Sequence, residues 1–271
     1  MRVKKESSMT QDSKTEQLDI ISYSEGSFSS AKKSIIREIP LTIFLNTVEI
    51  VTLLCIDDHL KELALGFLNS EGMLNSPDEI ISIRLDEERG IVEIATQKSY
   101  PISEKLFMKR TITSGCGKGS SFYNVMDSIQ CKKVNSQLTI SAKQVLGLMK
   151  ELHSLSYLYK STGGVHNSAL ATPEGILVFR EDIGRHNAVD KINGECFLKG
   201  IDLNDKILLT TGRITSEILI KAGKMGIPIL LSRSASTSLA VSMAKEMGIT
   251  AVGYIRGGNF TIYSYPERVE G

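Results

Sequence analysis

The chain has no excess of either charge, with 32 basic residues against 31 acidic ones among 271. No global field then recruits nucleic acid or an acidic membrane surface, and any anion site has to be local. Long apolar runs are missing too. Nothing approaches the roughly 20 continuous apolar residues of a membrane span, and the N-terminus has no apolar stretch for a signal peptide. The expectation is a cytoplasmic protein with neither a membrane nor a nucleic acid among its partners. Cysteine is scarce, at positions 55, 116, 131 and 196 without regular spacing. That argues against a disulfide framework or a zinc knuckle and leaves at least one thiol free for chemistry. Two nucleotide signatures are also absent. No G-x-G-x-x-G follows a strand and no G-x-x-x-x-G-K-[ST] occurs, so neither a dinucleotide fingerprint nor a phosphate loop is present.

What the chain does hold is enough material for two domains. Residues 1 to 34 are rich in Ser, Lys, Glu, Thr and Gln, a composition that reads as a loose arm. From Ile35 to about residue 134 the pattern is α+β. Strands meet at Asn46-Thr47, a helix capped by Asp57 or Asp58 carries Leu60, Leu63, Ala64, Phe67 and Leu68 on one face, and further strands cover Ile80 to Leu85, Ile91 to Ala95 and Leu106 to Ile112. Residues 135 to 271 open with a capping box, Ser141 and Gln144, before a helix whose apolar stripe runs from Val145 to Leu158. A hairpin follows around Thr172-Pro173-Glu174-Gly175, and then helix and strand alternate, predicting a mixed sheet covered on both faces.

Three stretches carry chemistry. Thr113 to Ser121, TSGCGKGSS, sets Cys116 among glycines just before a helix expected from about Phe122 to Lys133. A helix N-terminus and Lys118 would both lower the thiol pKa and favour the nucleophilic thiolate. The plainer reading of this stretch is an interdomain linker. Arginine recurs with small polar residues in three loops at strand ends, Thr210 to Arg213, Ser232 to Thr237 and Arg256 to Asn259. Right-handed crossovers would bring them to one sheet edge, where guanidinium groups and helix N-termini suit a phosphate. Ordinary capping with solvated arginines is the alternative. Finally Glu181 to Asn187, EDIGRHN, ends a strand and starts a helix, the place where open α/β sheets bind ligands. His166 lacks a Glu two residues on, and no P-C-x-x-C exists, so the zinc site of nucleoside deaminases cannot be assembled.

LALGFLNSEGML at Leu63 to Leu74, SGCG at Ser114 to Gly117, TGGVH at Thr162 to His166, EDIGRHNAVDK at Glu181 to Lys191 and TGRITSEI at Thr211 to Ile218 occur in order. Together they closely resemble the formate dehydrogenase accessory sulfurtransferase family. The resemblance spans Ile35 to Val269. It implies a cytidine-deaminase-like three-layer α/β domain without zinc, following a smaller α+β domain, and a homodimer. It also implies a persulfide relay from a cysteine desulfurase to the molybdenum (or tungsten) bis-guanine dinucleotide cofactor of formate dehydrogenase. Cys116 matches the family's sulfur-carrying cysteine. Cofactor binding carries over onto Ile255, Arg256, Gly257, Gly258, Asn259 and Phe260, and onto Arg185, His186 and Arg213. Family members often have C-x-x-C where this chain reads Cys116-Gly117-Lys118-Gly119, so a dithiol mechanism within the loop is excluded. The rival expectation is a non-catalytic chaperone that delivers the same cofactor.

Overall fold

Asn46 and Thr47 both take left-handed backbone angles, φ 48° and 69°, the two-residue turn whose twist matches that of the strands it joins. They connect β3 (Ile39–Leu45) to β4 (Val48–Cys55) in the first sheet of the computed structural model, which describes residues 14–97, 111–112 and 133–271. The Cys116 loop, Cys131, the helix expected from Phe122 and most of the strand expected from Leu106 lie outside the described residues. The sheet has the order β5-β6-β3-β4-β7, with β5 Ile80–Asp86, β6 Ile91–Thr96 and β7 Thr111–Ile112. Helix α1 (Leu60–Ser70) packs its Leu60, Leu63, Ala64, Phe67 and Leu68 face against it. Neither Asp57 nor Asp58 caps this helix. The N-cap is His59 at φ 52°, without a side-chain cap, because Asp58 is engaged by Lys14 at 2.7 Å and His59 at 2.5 Å. Burial works to raise the Asp58 pKa, but those partners hold the carboxyl well below the usual range.

Residues 15–34 are not a loose arm. β1 (Thr15–Ser24) and β2 (Ser27–Ile36) pair antiparallel over ten residues through a turn at Glu25 and Gly26. The composition was informative about packing, since most of these side chains are exposed. The ribbon is held by its backbone ladder and by Ile36, which packs at its base with Ile56, Leu158 and Val165.

The second sheet has the order β10-β9-β11-β12-β13-β14, parallel only across β11-β12-β13. Its strands are β9 His166–Thr172, β10 Gly175–Asp182, β11 Ile207–Thr210, β12 Ile229–Ser232, β13 Thr250–Arg256 and β14 Asn259–Ile262. The capping box holds: Ser141 and Gln144 satisfy one another at the start of α2 (Ala142–Leu155). Val145, Leu148, Met149 and Leu152 bury one sheet face. The expected single helix breaks at Ser156, whose buried hydroxyl donates to Glu181 Oε1 at 2.7 Å, and α3 (Tyr157–Thr162) resumes beyond it. On the other face lie α4 (Arg185–Lys199), α5 (Ser216–Lys224) and α6 (Ser238–Met247). Two short strands, β8 Ile140–Ser141 and β15 Val269–Glu270, pair at the end of the chain.

Helix α4 is buried all the way from Asn187 to Cys196, because α1 covers the side that the sheet does not. The two helices meet through glycine. A Cβ on Gly66 would stand 1.8 Å from the Asp190 carbonyl oxygen, and one on Gly194 would stand 1.9 Å from that of Glu62. Burial of a polar helix demands partners for its charges. Asp190 accepts from Ser70 Oγ at 2.8 Å and Lys221 Nζ at 2.6 Å, and Asn193 donates to Gly66, Asn69 and Ser70. The first sheet is thereby fastened to the back of the second. Its open edge is left for a site.

Candidate functional site

The C-terminal ends of β11 and β12 emerge side by side, and their loops are stitched together. Ile214 N–H donates to Ala235 and Thr237 N–H to Ile214, while Ser232 Oγ donates to the Gly212 carbonyl at 2.6 Å. The hydroxyls expected at these loops therefore serve the backbone, which holds Arg213 and Arg233 at a defined edge. Beside this edge lies a cleft of about 600 Å³, walled by the β11, β12 and β13 ends, the start of β9, and α2 and α3 across the gap. Arg233 and Arg256 line it together with His153, Tyr159, His166, Thr211 and Tyr254. Arg233 Nη1 lies 3.3 Å from His153 Nδ1. The Arg256 guanidinium stands 5.3 Å from the centre of the Tyr254 ring.

A second cationic group sits just outside. Arg185, the first residue of α4, lays its stem on Gly212, where a Cβ would stand within 2.9 Å of it. That contact explains a glycine between Thr211 and Arg213. Burial, and then the neighbouring Arg213, lower the Arg185 pKa, with Glu217 opposing them. His186 Nε2 lies 2.9 Å from Glu217 Oε2, and this hydrogen bond leads in holding the Glu217 carboxyl below its ordinary range. The N-caps of α4 and α5, Gly184 and Thr215, make no side-chain cap bond, so no N-cap side chain satisfies the first-turn amides of either helix.

Of the residues assigned to the cofactor from sequence, Arg256 alone lines the cleft. Ile255 is 2% exposed and packs in the core below. Phe260 also packs against that core. Gly257 and Gly258 form the β13–β14 turn at φ 58° and 81°, and Asn259 Nδ2 donates to the Gly257 carbonyl at 3.1 Å. Arg185, His186 and Arg213 form the outer group instead. His153, which reads from sequence as an ordinary helical histidine, and Tyr159, Thr211 and Tyr254 complete the wall. His153 and Tyr159 meet only because of the break at Ser156, a feature that no spacing in the stripe announces.

His166 joins the two groups. Its Nδ1 lies 3.4 Å from Thr211 Oγ1. Burial lowers its pKa first, then Arg185, His186 and Arg213, with Asp182 pulling the other way. Protonating the ring is thus disfavoured first by burial and then by adding a cation to a cationic pocket. A bound anion offsets the second of these, so anion binding favours proton uptake and tightens as pH falls. Sulfate, whose charge is constant across this range, is the probe: its affinity should rise between pH 7.5 and 5.5, and calorimetry on His166→Gln should show that rise lost. Among the described residues no group of three or more His, Cys, Asp or Glu side chains is placed to share a metal ion.

Comparison with known proteins agrees with this architecture. Residues 36–270 match the model of the FdhD/NarQ family. The sulfur carrier protein FdhD of Bacillus subtilis (strain 168) is 43% identical over 251 residues, covering 93% of this chain and 96% of its own. That of Bacillus pumilus (strain SAFR-032) is 45% identical over 247 residues, covering 91% and 94%. A crystal structure described as a formate dehydrogenase accessory protein from Desulfotalea psychrophila superposes with a TM-score of 0.77 at 25% identity, over 94% of this chain and 99% of its own. Among the described residues no helix is long and apolar enough to cross a membrane. With a family match from residue 36 to 270 and relatives alike over nearly its whole length, this chain belongs to the FdhD/NarQ family.

Proposed function

We propose that the protein is a sulfurtransferase that carries a persulfide on Cys116 from a cysteine desulfurase to the molybdenum (or tungsten) bis-guanine dinucleotide cofactor, for formate dehydrogenase maturation. The observation that carries the choice of thiol concerns the two cysteines among the described residues. Cys55 and Cys196 are buried, and burial pushes both pKa values up to about 12, so neither supplies thiolate near neutral pH. A persulfide carrier needs one cysteine that does, and relatives of this chain are named sulfur carrier proteins. Cys116, flanked by glycines and near Lys118, is the candidate by composition. In the loading step the Cys116 thiolate attacks the outer sulfur of the donor's persulfide; a new S–S bond forms, the donor's S–S bond breaks, and the donor leaves as a thiolate. Electrons balance without an added oxidant.

The cofactor is the substrate in this reading, and the cleft suits its nucleotide ends: Arg233 and Arg256 offer charge-assisted donors to a diphosphate, and aromatic side chains offer planar contact to a base. The sheet order and the three layers support a cytidine-deaminase-like domain, in a sequence that lacks the zinc ligands of the deaminases. A homodimer in the cytoplasm belongs to the same proposal. The alternative, a chaperone that delivers the cofactor without moving sulfur, shares the cleft but has no use for the thiol.

Incubation with a cysteine desulfurase and cysteine, followed by intact mass and peptide mapping, tests the proposal. One added sulfur atom on the Cys116 peptide is expected, removed by a reductant. A label found mainly on Cys131 or Cys196, or loading undiminished in Cys116→Ala, would overturn it.

A further inference from the structure

Tyr254 adopts φ 54°, a conformation that the Cβ of a bulky residue opposes. The irregularity is local to the cleft. β13 and β14 slip register between Gly253 and Arg256. Val252 and Ile255, three apart, share one core cluster, although a regular strand would send them to opposite faces. Tyr254 is the extra residue of this bulge, and bulges re-aim side chains beside binding sites. Here the bulge buries Ile255 and turns Tyr254 outward. The chain is held in that shape by the Tyr254 N–H, which donates to the Ser234 carbonyl at 2.9 Å, and by Gly253, where a Cβ would stand 2.8 Å from the same oxygen.

The ring gains no burial from this strain, since Tyr254 is 43% exposed. A residue held in an unfavourable backbone conformation with its aromatic face in a cleft points to use rather than to packing. Its neighbours narrow the use. The Arg256 guanidinium lies against the ring, Arg233 lines the same cleft, and Tyr159 and His153 stand with them on its wall. A π face beside two guanidinium groups meets both halves of a nucleoside diphosphate, the flat base and the doubly charged tail.

We propose that Tyr254 is the stacking platform for a purine base of a nucleoside diphosphate, whose diphosphate is held by Arg233 and Arg256. This rests on the nucleotide reading of the cleft given above and adds the residue that holds the base. Stacking on tyrosine tolerates either purine, so the platform sets affinity and leaves the choice between guanine and adenine to other contacts.

Glycine at position 254 separates use from structure, because it removes the ring and relaxes the left-handed backbone at once. In the full-length protein, calorimetry should show GDP and ADP each binding Tyr254→Gly about tenfold or more weaker than the parent, from the loss of one base contact. Inorganic pyrophosphate should bind both proteins alike, Tyr254→Phe should bind the nucleotides as the parent does, and the Tm of Tyr254→Gly should be unchanged or higher. Nucleotide affinity retained in Tyr254→Gly would overturn the platform while leaving the nucleotide reading intact. Equal loss of pyrophosphate and nucleotide, or a lowered Tm, would assign Tyr254 a structural role and overturn it as well. A parent protein that binds neither GDP nor pyrophosphate would overturn both readings.

Discussion

Cys116→Ser protein is expected to leave a coproduced formate dehydrogenase inactive while it binds GDP with the parent's affinity. The serine oxygen can neither attack a persulfide usefully at neutral pH nor hold a sulfane sulfur for onward transfer, so the relay stops at its first bond. The cleft's described walls, by contrast, come from β9, β11, β12, β13 and the α2–α3 wall, and a thiol-to-hydroxyl change removes no charge or ring from them. Binding and chemistry should therefore separate in one variant. Client activity at background, with GDP affinity and Tm at parental values, is the outcome that the sulfurtransferase reading requires. The chaperone reading requires the opposite, since delivery of an already complete cofactor needs no thiol. Cys131→Ser, the companion variant, should activate the client as the parent does. A fully active client with Cys116→Ser would falsify the persulfide relay and leave the cleft's nucleotide reading standing.

How far such a site could be read in the sequence depends on how local its causes are. The alternation that yields β11, β12 and β13 is local: short apolar runs ended by Thr210-Thr211-Gly212, Ser232-Arg233-Ser234 and Arg256-Gly257-Gly258. So the three arginine loops were legible as neighbours on one edge. Their division was not. Arg233 and Arg256 turn into the cleft, while Arg213 stands with Arg185, because the bare Gly212 admits the Arg185 stem. Tyr254 was hidden for a similar reason. Thr250 to Ile255 reads as one continuous strand, and a bulge depends on the partner strand and on the Ser234 carbonyl that receives its N–H. The β1–β2 ribbon shows the reverse limit. Composition reports side-chain burial, and residues 15–34 bury little; a ladder of backbone hydrogen bonds leaves no such trace. The charges at the end of β10 and in α4 were visible as EDIGRHNAVDK, yet partners such as Ile56 for Asp182 and Lys221 for Asp190 come from distant segments. A polar run that reads as a ligand-binding strand end is in large part an interior hub.

That hub is where the largest loss of stability is expected. Lys191 and Asp182 are both fully buried, with Nζ 2.7 Å from Oδ2. The remaining capacity of the carboxylate is filled by Ile56 N–H at 3.3 Å, Gly184 N–H at 3.0 Å and Asn187 Nδ2 at 2.9 Å. Lys191 Nζ also donates to the Glu181 carbonyl at 3.3 Å. One side chain thus ties the end of β4 to the start of α4, a few atoms from Arg185 and His186. Lys191→Met keeps the length of the side chain but strands a buried carboxylate whose ion-pair partner is gone, and removing one partner of such a pair costs about 3–5 kcal/mol. Urea denaturation should show the unfolding free energy falling by that amount, through a lower midpoint at an unchanged slope. Asp182→Asn added to Lys191→Met removes the stranded charge while an amide oxygen still accepts from Gly184 or Ile56, so the double variant should recover about 1 kcal/mol or more over Lys191→Met alone. A Lys191→Met protein within about 1 kcal/mol of the parent, with nothing regained in the double variant, would show that the pair is dispensable. The start of α4 would then need some other anchor to hold Arg185 against Gly212.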